Sequence, residues 1–178
     1  MLLLDLCSGA GGVTNVFKRK GWEVISVDYN PDFHPDIVAD IINWQYDGDR
    51  PDLIWGSPEC TQFSKESMPM SWACNRIKPP AIDLRLALNV YRTIREQQPR
   101  FWVIENVRGA RGYFDLIFGK MRKRVGPQYL WEEFPIFDTK HVYGKERLGP
   151  CPDRAAIRSL IPEGITMALE QSIRWELI

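Results

Sequence analysis

What this chain lacks narrows its chemistry first. Its four cysteines, Cys7, Cys60, Cys74 and Cys151, are scattered, and no C-x-x-C pair occurs among them. That spacing argues against a zinc site or a disulfide framework, and for a reducing, cytoplasmic setting. No metal site is expected. No apolar run is long enough to span a bilayer, so no membrane partner is expected. The opening MLLLDLCSGAGG has no basic leader and is interrupted at Asp5, which excludes a signal peptide as its reading. Repeats, linkers and low-complexity stretches are also missing, so residues 1–178 are expected to form one domain with a full hydrophobic core.

Net charge is zero, yet the charges are unevenly spread. Residues 1–60 hold 4 Lys/Arg against 10 Asp/Glu, whereas residues 61–178 hold 19 against 13. The basic residues gather in KMRKR (Lys120 to Arg124) and at Lys140, Lys145, Arg147, Arg154 and Arg158. Two readings stay open for that gathering, a solvated helix face and a surface that contacts phosphates.

The front of the chain alternates strands and helices. MLLLDL reads as a buried parallel strand ending at a glycine-rich turn, and VTNVFKRKG as a short helix closed by Gly21. EVISVD, PDLIWG and FWVIENV read as further strands. Between Ala81 and Gln98, Leu84, Leu88 and Tyr91 recur at helical spacing, widened by Leu86, Val90 and Ile94, before Pro99 stops the helix. GYFDLIFGKMRKR offers Tyr113, Leu116, Ile117 and Met121 as a helix face. YLWEEFPIF, broken by Pro135, reads as edge strands, and Pro162 opens a last helix. The expected fold is α/β, a mainly parallel, doubly wound, Rossmann-like sheet. Ligands of such sheets sit at the carboxyl ends of the strands, where this chain places Asp5 and the glycines, Asp28, Cys60 and Glu105.

DLCSGAGG after a strand, with Asp28 further on, has the makings of a nucleotide-binding unit. Glycines let the backbone turn tightly, and the acidic residue can accept from ribose hydroxyls. The dinucleotide fingerprint G-x-G-x-x-G fails, however, because Thr14 stands at the third position. Asp5 ahead of the loop suits a cationic or zwitterionic nucleoside such as S-adenosylmethionine better than a pyrophosphate. A tight turn without a ligand is the other reading. Cys60, after the strand PDLIWG, has two readings as well: a small residue filling a core, or a nucleophile presented at a sheet edge.

With DLCSGAGG, VDYNP, DIVADI, GSPECTQFS and ENVRG in this order, the chain resembles the DNA cytosine-5 methyltransferases, and their short, phage-type members in particular. YLWEEFP and RSLIPEGITMALEQSI look like later segments of that subgroup. The resemblance implies S-adenosylmethionine as cofactor and DNA as substrate. It implies that Asp5, Cys7, Ser8, Gly9, Ala10, Gly11 and Gly12 hold the methionine part, that Asp28 binds the ribose, and that Tyr29 covers the adenine. Asp40 and Ile41 would contact the adenine edge, and Pro58 would complete the pocket. Cys60 would be the nucleophile and Glu105 the group that bonds the cytosine ring nitrogen. A thiolate adding to carbon-6 makes carbon-5 nucleophilic enough to take a methyl group.

The chain departs from the family in three places. Glu59 precedes Cys60 where the family has proline, and a carboxylate there disfavours the thiolate. The family's Gln-x-Arg-x-Arg segment lacks its arginines, because Gln128 is followed by Tyr129, Leu130 and Trp131. The stretch between FPIF and RSLIP is too short for a base-reading module. Target recognition would then come from a partner subunit or a second copy of the chain. The loop Lys65 to Pro80, with Trp72 as a wedge, is a further candidate for substrate contact. Two alternatives accompany this reading: the same chemistry on RNA or a cytosine nucleotide, and a catalytically weakened binding partner.

Overall fold

The computed structural model describes residues 1–63, 81–135 and 161–176. Trp72 and its loop, Cys74, Cys151, Lys140, Lys145, Arg147, Arg154 and Arg158 lie outside the described residues.

Apolar runs in the first half become short buried strands. In chain order these are β1 (Leu2–Leu6), β2 (Glu23–Asp28), β3 (Ile37–Val38) and β4 (Leu53–Gly56). They are followed by β5 (Phe101–Asn106), β6 (Lys123–Val125) and β7 (Gln128–Glu133). The helices are α1 (Gly12–Arg19), α2 (Arg85–Gln97), α3 (Arg111–Ile117) and α4 (Glu163–Glu176). One sheet has the order β3-β2-β1-β4-β5-β7-β6. The first five strands in that order pair in parallel, and β7 and β6 add antiparallel at the far side. The doubly wound, mainly parallel sheet expected from the sequence is thus present.

Each face of the sheet carries its own core. Leu3, Leu53, Trp55, Val103 and Leu130 pack with Val13 and Phe17 of α1 and with Ile165, Leu169 and Ile173 of α4. On the opposite face Leu4, Leu6, Ile54, Ile104 and Trp131 pack with Ala87, Val90 and Ile94 of α2 and Phe114 of α3. Strands covered on both faces are apolar without alternation, which is why MLLLDL and DLIWG read as continuous runs. Among the described residues, no helix is long and apolar enough to cross a membrane.

The structure corrects the sequence expectations at three elements. Helix α2 begins at Arg85 and buries Ala87, Val90, Thr93 and Ile94, while Leu88 and Tyr91 of the expected stripe face outward. Gly56 sets this phase: a Cβ there would lie 2.7 Å from Val90, so only glycine lets α2 settle so close. Helix α3 stops at Ile117, well before Met121, and Gly119 then takes a left-handed φ of 85°. Leu116 is 86% exposed, and the anchor of this face is Phe114, set between Phe63, Phe118 and Trp131. Strand β7 is interior, because Lys123–Val125 supply the edge. The basic run therefore forms part of an edge strand, a place where charge deters pairing with other chains.

Helix α4 closes the α1 face with Leu169 wholly buried. Its Glu170 accepts from Trp22 Nε1 at 3.1 Å and from Arg174 Nε at 2.7 Å. Leu169→Ala is expected to destabilise the protein by about 2–5 kcal/mol in a urea titration, the range for an aliphatic side chain deleted from a core.

Candidate active site

Parallel pairing carries the ends of β2, β1, β4 and β5 to one edge of the sheet. Backbone bonds continue the register past the strand ends: Ser8 N donates to Val27 O and Ser57 N to Leu6 O, both at 3.1 Å. The loop after β1 is held by Asp28, whose two carboxylate oxygens accept from Gly9 N and Asn30 N, each at 2.9 Å. Gly9 and Gly11 take left-handed φ angles of 50° and 77°, and a Cβ at Gly9 would meet nothing within 4 Å. Cys7 takes a φ of 60° without being glycine, a strained conformation of the kind that gathers at functional loops.

The expected cofactor residues fall into two groups. Ser8, Gly9, Ala10, Gly11 and Gly12 form the accessible loop, and Tyr29, 70% exposed, stands at its rim beside Asp28. Asp40 is exposed, and its Oδ1 accepts from Ile42 N at 3.0 Å. Asp5, Asp28, Ile41 and Pro58, by contrast, are buried. Asp5 lies beneath the loop, accepts from the Thr14 hydroxyl at 2.6 Å, and is pushed up to about 7 by burial. Its part is to anchor α1 under the loop. Ile41 belongs to the core on the α2 side.

Burial drives the Cys7 thiol far above its ordinary value, and the charges of Asp28, Asp5, Asp40 and Glu59 push in the same direction. Asp28, Asp40 and Glu59 therefore give this loop a negative field, to which the buried Asp5, raised to about 7, adds only in part. Such a field welcomes a sulfonium cation and repels a pyrophosphate, so the residues fit S-adenosylmethionine.

The second half of the site is the turn after β4. Its start is fixed by Asn106, wholly buried at the end of β5, whose Nδ2 donates to Pro58 O at 2.8 Å. The Asn106 Oδ1 accepts from Val107 N at 2.9 Å, so both ends of its amide are engaged. The far end of the turn is fixed twice. Gln62 exchanges two hydrogen bonds with the backbone of Asp83, and Phe63 packs edge-on against Phe114. Gly109 lies against the Phe63 carbonyl so closely that a Cβ would come within 1.9 Å of that oxygen. Within the turn, Phe63 N donates to Cys60 O at 3.0 Å. Cys60 is half-buried between these anchors. Asn106 and Gly109 were not singled out from the sequence, where ENVRG drew notice for Glu105 alone. A polar residue ending an apolar strand, followed closely by glycine, is the signal that marks them.

Gly56 pairs with Ile104, so Glu105 stands level with the first residue of the Cys60 turn. The Cys60 thiol is raised by burial first, and then by the charges of Glu105 and Glu59. The structure thus brings Cys60 and Glu105 together. Glu105 itself is pushed up to about 8 by burial. Directly opposite it in β7 stands Leu130, which is wholly buried. When the family's Gln-x-Arg-x-Arg is laid on Gln128, its arginine positions fall on Leu130 and Glu132. No cation offsets the desolvation of Glu105 from that strand, which favours the protonated form of its carboxyl.

This raised value has a consequence for stability. A glutamate ionises near 4.5 when unperturbed but near 8 in this fold. Its contribution to stability is therefore fully present below about 4.5 and is lost as pH rises through about 8. Glu105→Gln removes that dependence. Urea midpoints of the variant and the native chain are expected to converge in acid, with the variant the more stable at pH 9. Parallel curves across the range would show that Glu105 is not desolvated.

Residues 1–115 match the family described as C-5 cytosine-specific DNA methylase. A curated relative, "Probable DNA (cytosine-5)-methyltransferase" of Frog virus 3 (isolate Goorha), is 37% identical over 70 residues, which are 36% of this chain and 31% of the viral protein. The chain spans about a third of the length of that relative. Among solved structures, the Entamoeba histolytica methyltransferase EhMeth is similar with a TM-score of 0.50 and 15% identity, over 79% of this chain and 55% of that one. The S. pombe Dnmt2 methyltransferase matches with a TM-score of 0.40 and 19% identity, over 65% of this chain and 36% of that one. The Entamoeba likeness speaks for the fold alone. The family match takes in both halves of the site, from the loop after β1 to Glu105 and Gly109, and on that ground the chain belongs to the C-5 cytosine-specific DNA methylases.

Proposed function

We propose that this chain methylates carbon-5 of cytosine in DNA, with S-adenosylmethionine as methyl donor and Cys60 as covalent catalyst. The observation that carries this reading is the meeting of Cys60 and Glu105, a carboxyl raised by desolvation, at the ends of neighbouring strands. The loop Cys7 to Gly12, with Asp28, Tyr29 and Asp40 around it, would hold the cofactor. When bound, S-adenosylmethionine supplies an electrophilic methyl group.

The chain's own residues prepare the base. The Cys60 sulfur, once deprotonated, forms a bond to carbon-6 while the Glu105 carboxyl gives its proton to ring nitrogen-3. Addition and protonation leave an enamine whose carbon-5 is nucleophilic. After carbon-5 is methylated, its hydrogen leaves to water as a proton, the ring double bond re-forms as the carbon–sulfur bond breaks to release the Cys60 thiolate, and ring nitrogen-3 returns its proton to the Glu105 carboxylate. In duplex DNA the base must first leave the stack, which costs a few kcal/mol. The stretch between FPIF and RSLIP is short for a base-reading module. Sequence selectivity would then depend on a partner subunit or a second copy of the chain.

The reacting state needs a thiolate beside a protonated carboxyl, yet the thiol lies above its ordinary value and Glu105 near 8. Only a minor fraction of molecules holds that combination at any pH. The rate is therefore expected to be slow and to peak on the alkaline side of pH 8, falling as Glu105 loses its proton. A peak below neutral pH in single-turnover measurements would contradict the assignment.

The raised thiol also favours a second reading, a weakened subunit that binds cofactor and DNA without turnover. Base-resolution detection of 5-methylcytosine in unmethylated DNA separates the two. Methylation by the native chain, lost in Cys60→Ala while S-adenosylmethionine affinity stays within about twofold, is the expected result. Bound cofactor with no methylation by the native chain would favour the second reading.

A further inference from the structure

The edge of the sheet opposite the Cys60 turn carries a cavity of about 440 Å³ between α2 and α3. Gln98 just before β5, Trp102 near its start and Glu133 at the end of the antiparallel β7 place it there. Aromatic rings line it: Phe118 stands 5.9 Å from Tyr91 and 6.2 Å from Trp102, measured between ring centres. Glu133 accepts from Trp102 Nε1 at 3.0 Å, and Arg95 lines the cavity as well. Among the described residues Arg95 has no ion-pair partner. An aromatic-lined hollow beside an uncompensated guanidinium suits an aromatic group that brings a carboxylate with it.

Such a group stands exposed on the same edge. Trp175, near the end of α4, is 74% exposed, and Glu176 follows it. Two backbone contacts tie this end of α4 to the edge. Arg174 Nη2 donates to Lys20 O at 2.9 Å, shortly before β2, and Arg100 Nη2 to Glu176 O at 3.2 Å, just before β5. Helix α4 packs on the α1 face of the sheet, whereas the cavity lies on the α2 face, and Trp175 does not line the cavity of its own chain.

We propose that a second copy of this chain docks here. The two copies meet edge to edge about a two-fold axis, Trp175 of each enters the cavity of the other, and Glu176 pairs with Arg95. Both halves of the contact lie on one edge, so each copy gives and receives, as an isologous interface requires. The volume is within the range that holds a drug-sized ligand, and an indole is smaller. Its N–H finds an acceptor in the Glu133 carboxylate. Tryptophan and arginine are also the side chains that most often carry the energy of an interface. The Cys60 turns, on the opposite edges, stay uncovered.

Sedimentation velocity of the full chain across the micromolar range tests this assembly. A monomer–dimer equilibrium is expected for the native chain. Trp175→Ala should weaken it by at least about thirtyfold, the loss typical of a buried aromatic anchor. Its urea midpoint should match the native value, because the side chain it removes is exposed. Arg95→Glu and Glu176→Arg should each weaken the dimer, and the chain carrying both substitutions should recover most of the lost affinity. A native chain that stays monomeric throughout, or a dimer that Trp175→Ala leaves intact, would overturn the proposal. A double variant no better than either single one would overturn the pairing of Glu176 with Arg95. Because the readout is mass and not methylation, the outcome is independent of the function assigned to Cys60.

Discussion

The parallel register of β2, β1, β4 and β5 is the constraint on which the rest depends. Because these strands run the same way, each must end at the same edge, and each connection must cross back over a face through a helix or a loop. Four ends that are far apart in sequence thereby become neighbours. The glycine loop after β1, Asp28 after β2, the Cys60 turn after β4 and Glu105 on β5 need no direct contact in the chain to meet in space. Side-chain bonds then refine what the register provides. Asp28 holds Gly9, and Asn106 holds Pro58, each joining the end of one strand to the loop of its neighbour or near neighbour.

Electrostatics gives the two halves of the site opposite characters with one sign of charge. Around the β1 loop, carboxylates gather close to accessible backbone, which suits a cationic ligand. Near Cys60, Glu105 stands opposite Leu130, and desolvation favours its protonated form. Desolvation favours the protonated form of Glu105, and burial likewise disfavours a thiolate at Cys60. Acid strength and nucleophile strength are thus set against each other by burial, which raises both groups. Glu59 adds to the restraint from the exposed side.

Much of the fold was legible because it rests on local rules. Apolar runs closed by Gly, Asp or Asn gave strand ends, and from strand ends came Asp28, Cys60 and Glu105 as residues of one edge. Helix phase was less legible. Leu88 and Leu116 have helical spacing but face outward, because the inward face of α2 is chosen by the gap at Gly56 and that of α3 by the aromatic seat of Phe114. These are tertiary facts with no local trace. Strand β7 was misplaced as an edge because Pro135 argues for one, while the true edge, Lys123–Val125, hides in a basic run that resembles a helix. Within the site, Glu105 was readable but its environment was not. That Leu130 faces it depends on a cross-strand register that no spacing along the chain reveals.

The central claim is that Cys60 forms a covalent bond to carbon-6 of cytosine within a site closed by Glu105. The measurement that addresses it most directly is trapping with DNA containing 5-fluorocytosine, whose fluorine cannot leave as a proton does. With S-adenosylmethionine present, intact mass spectrometry should find protein and DNA joined, with the linkage mapped to the peptide carrying Cys60. No adduct in the native chain despite bound cofactor and DNA, or an adduct that persists in Cys60→Ala, would contradict the account.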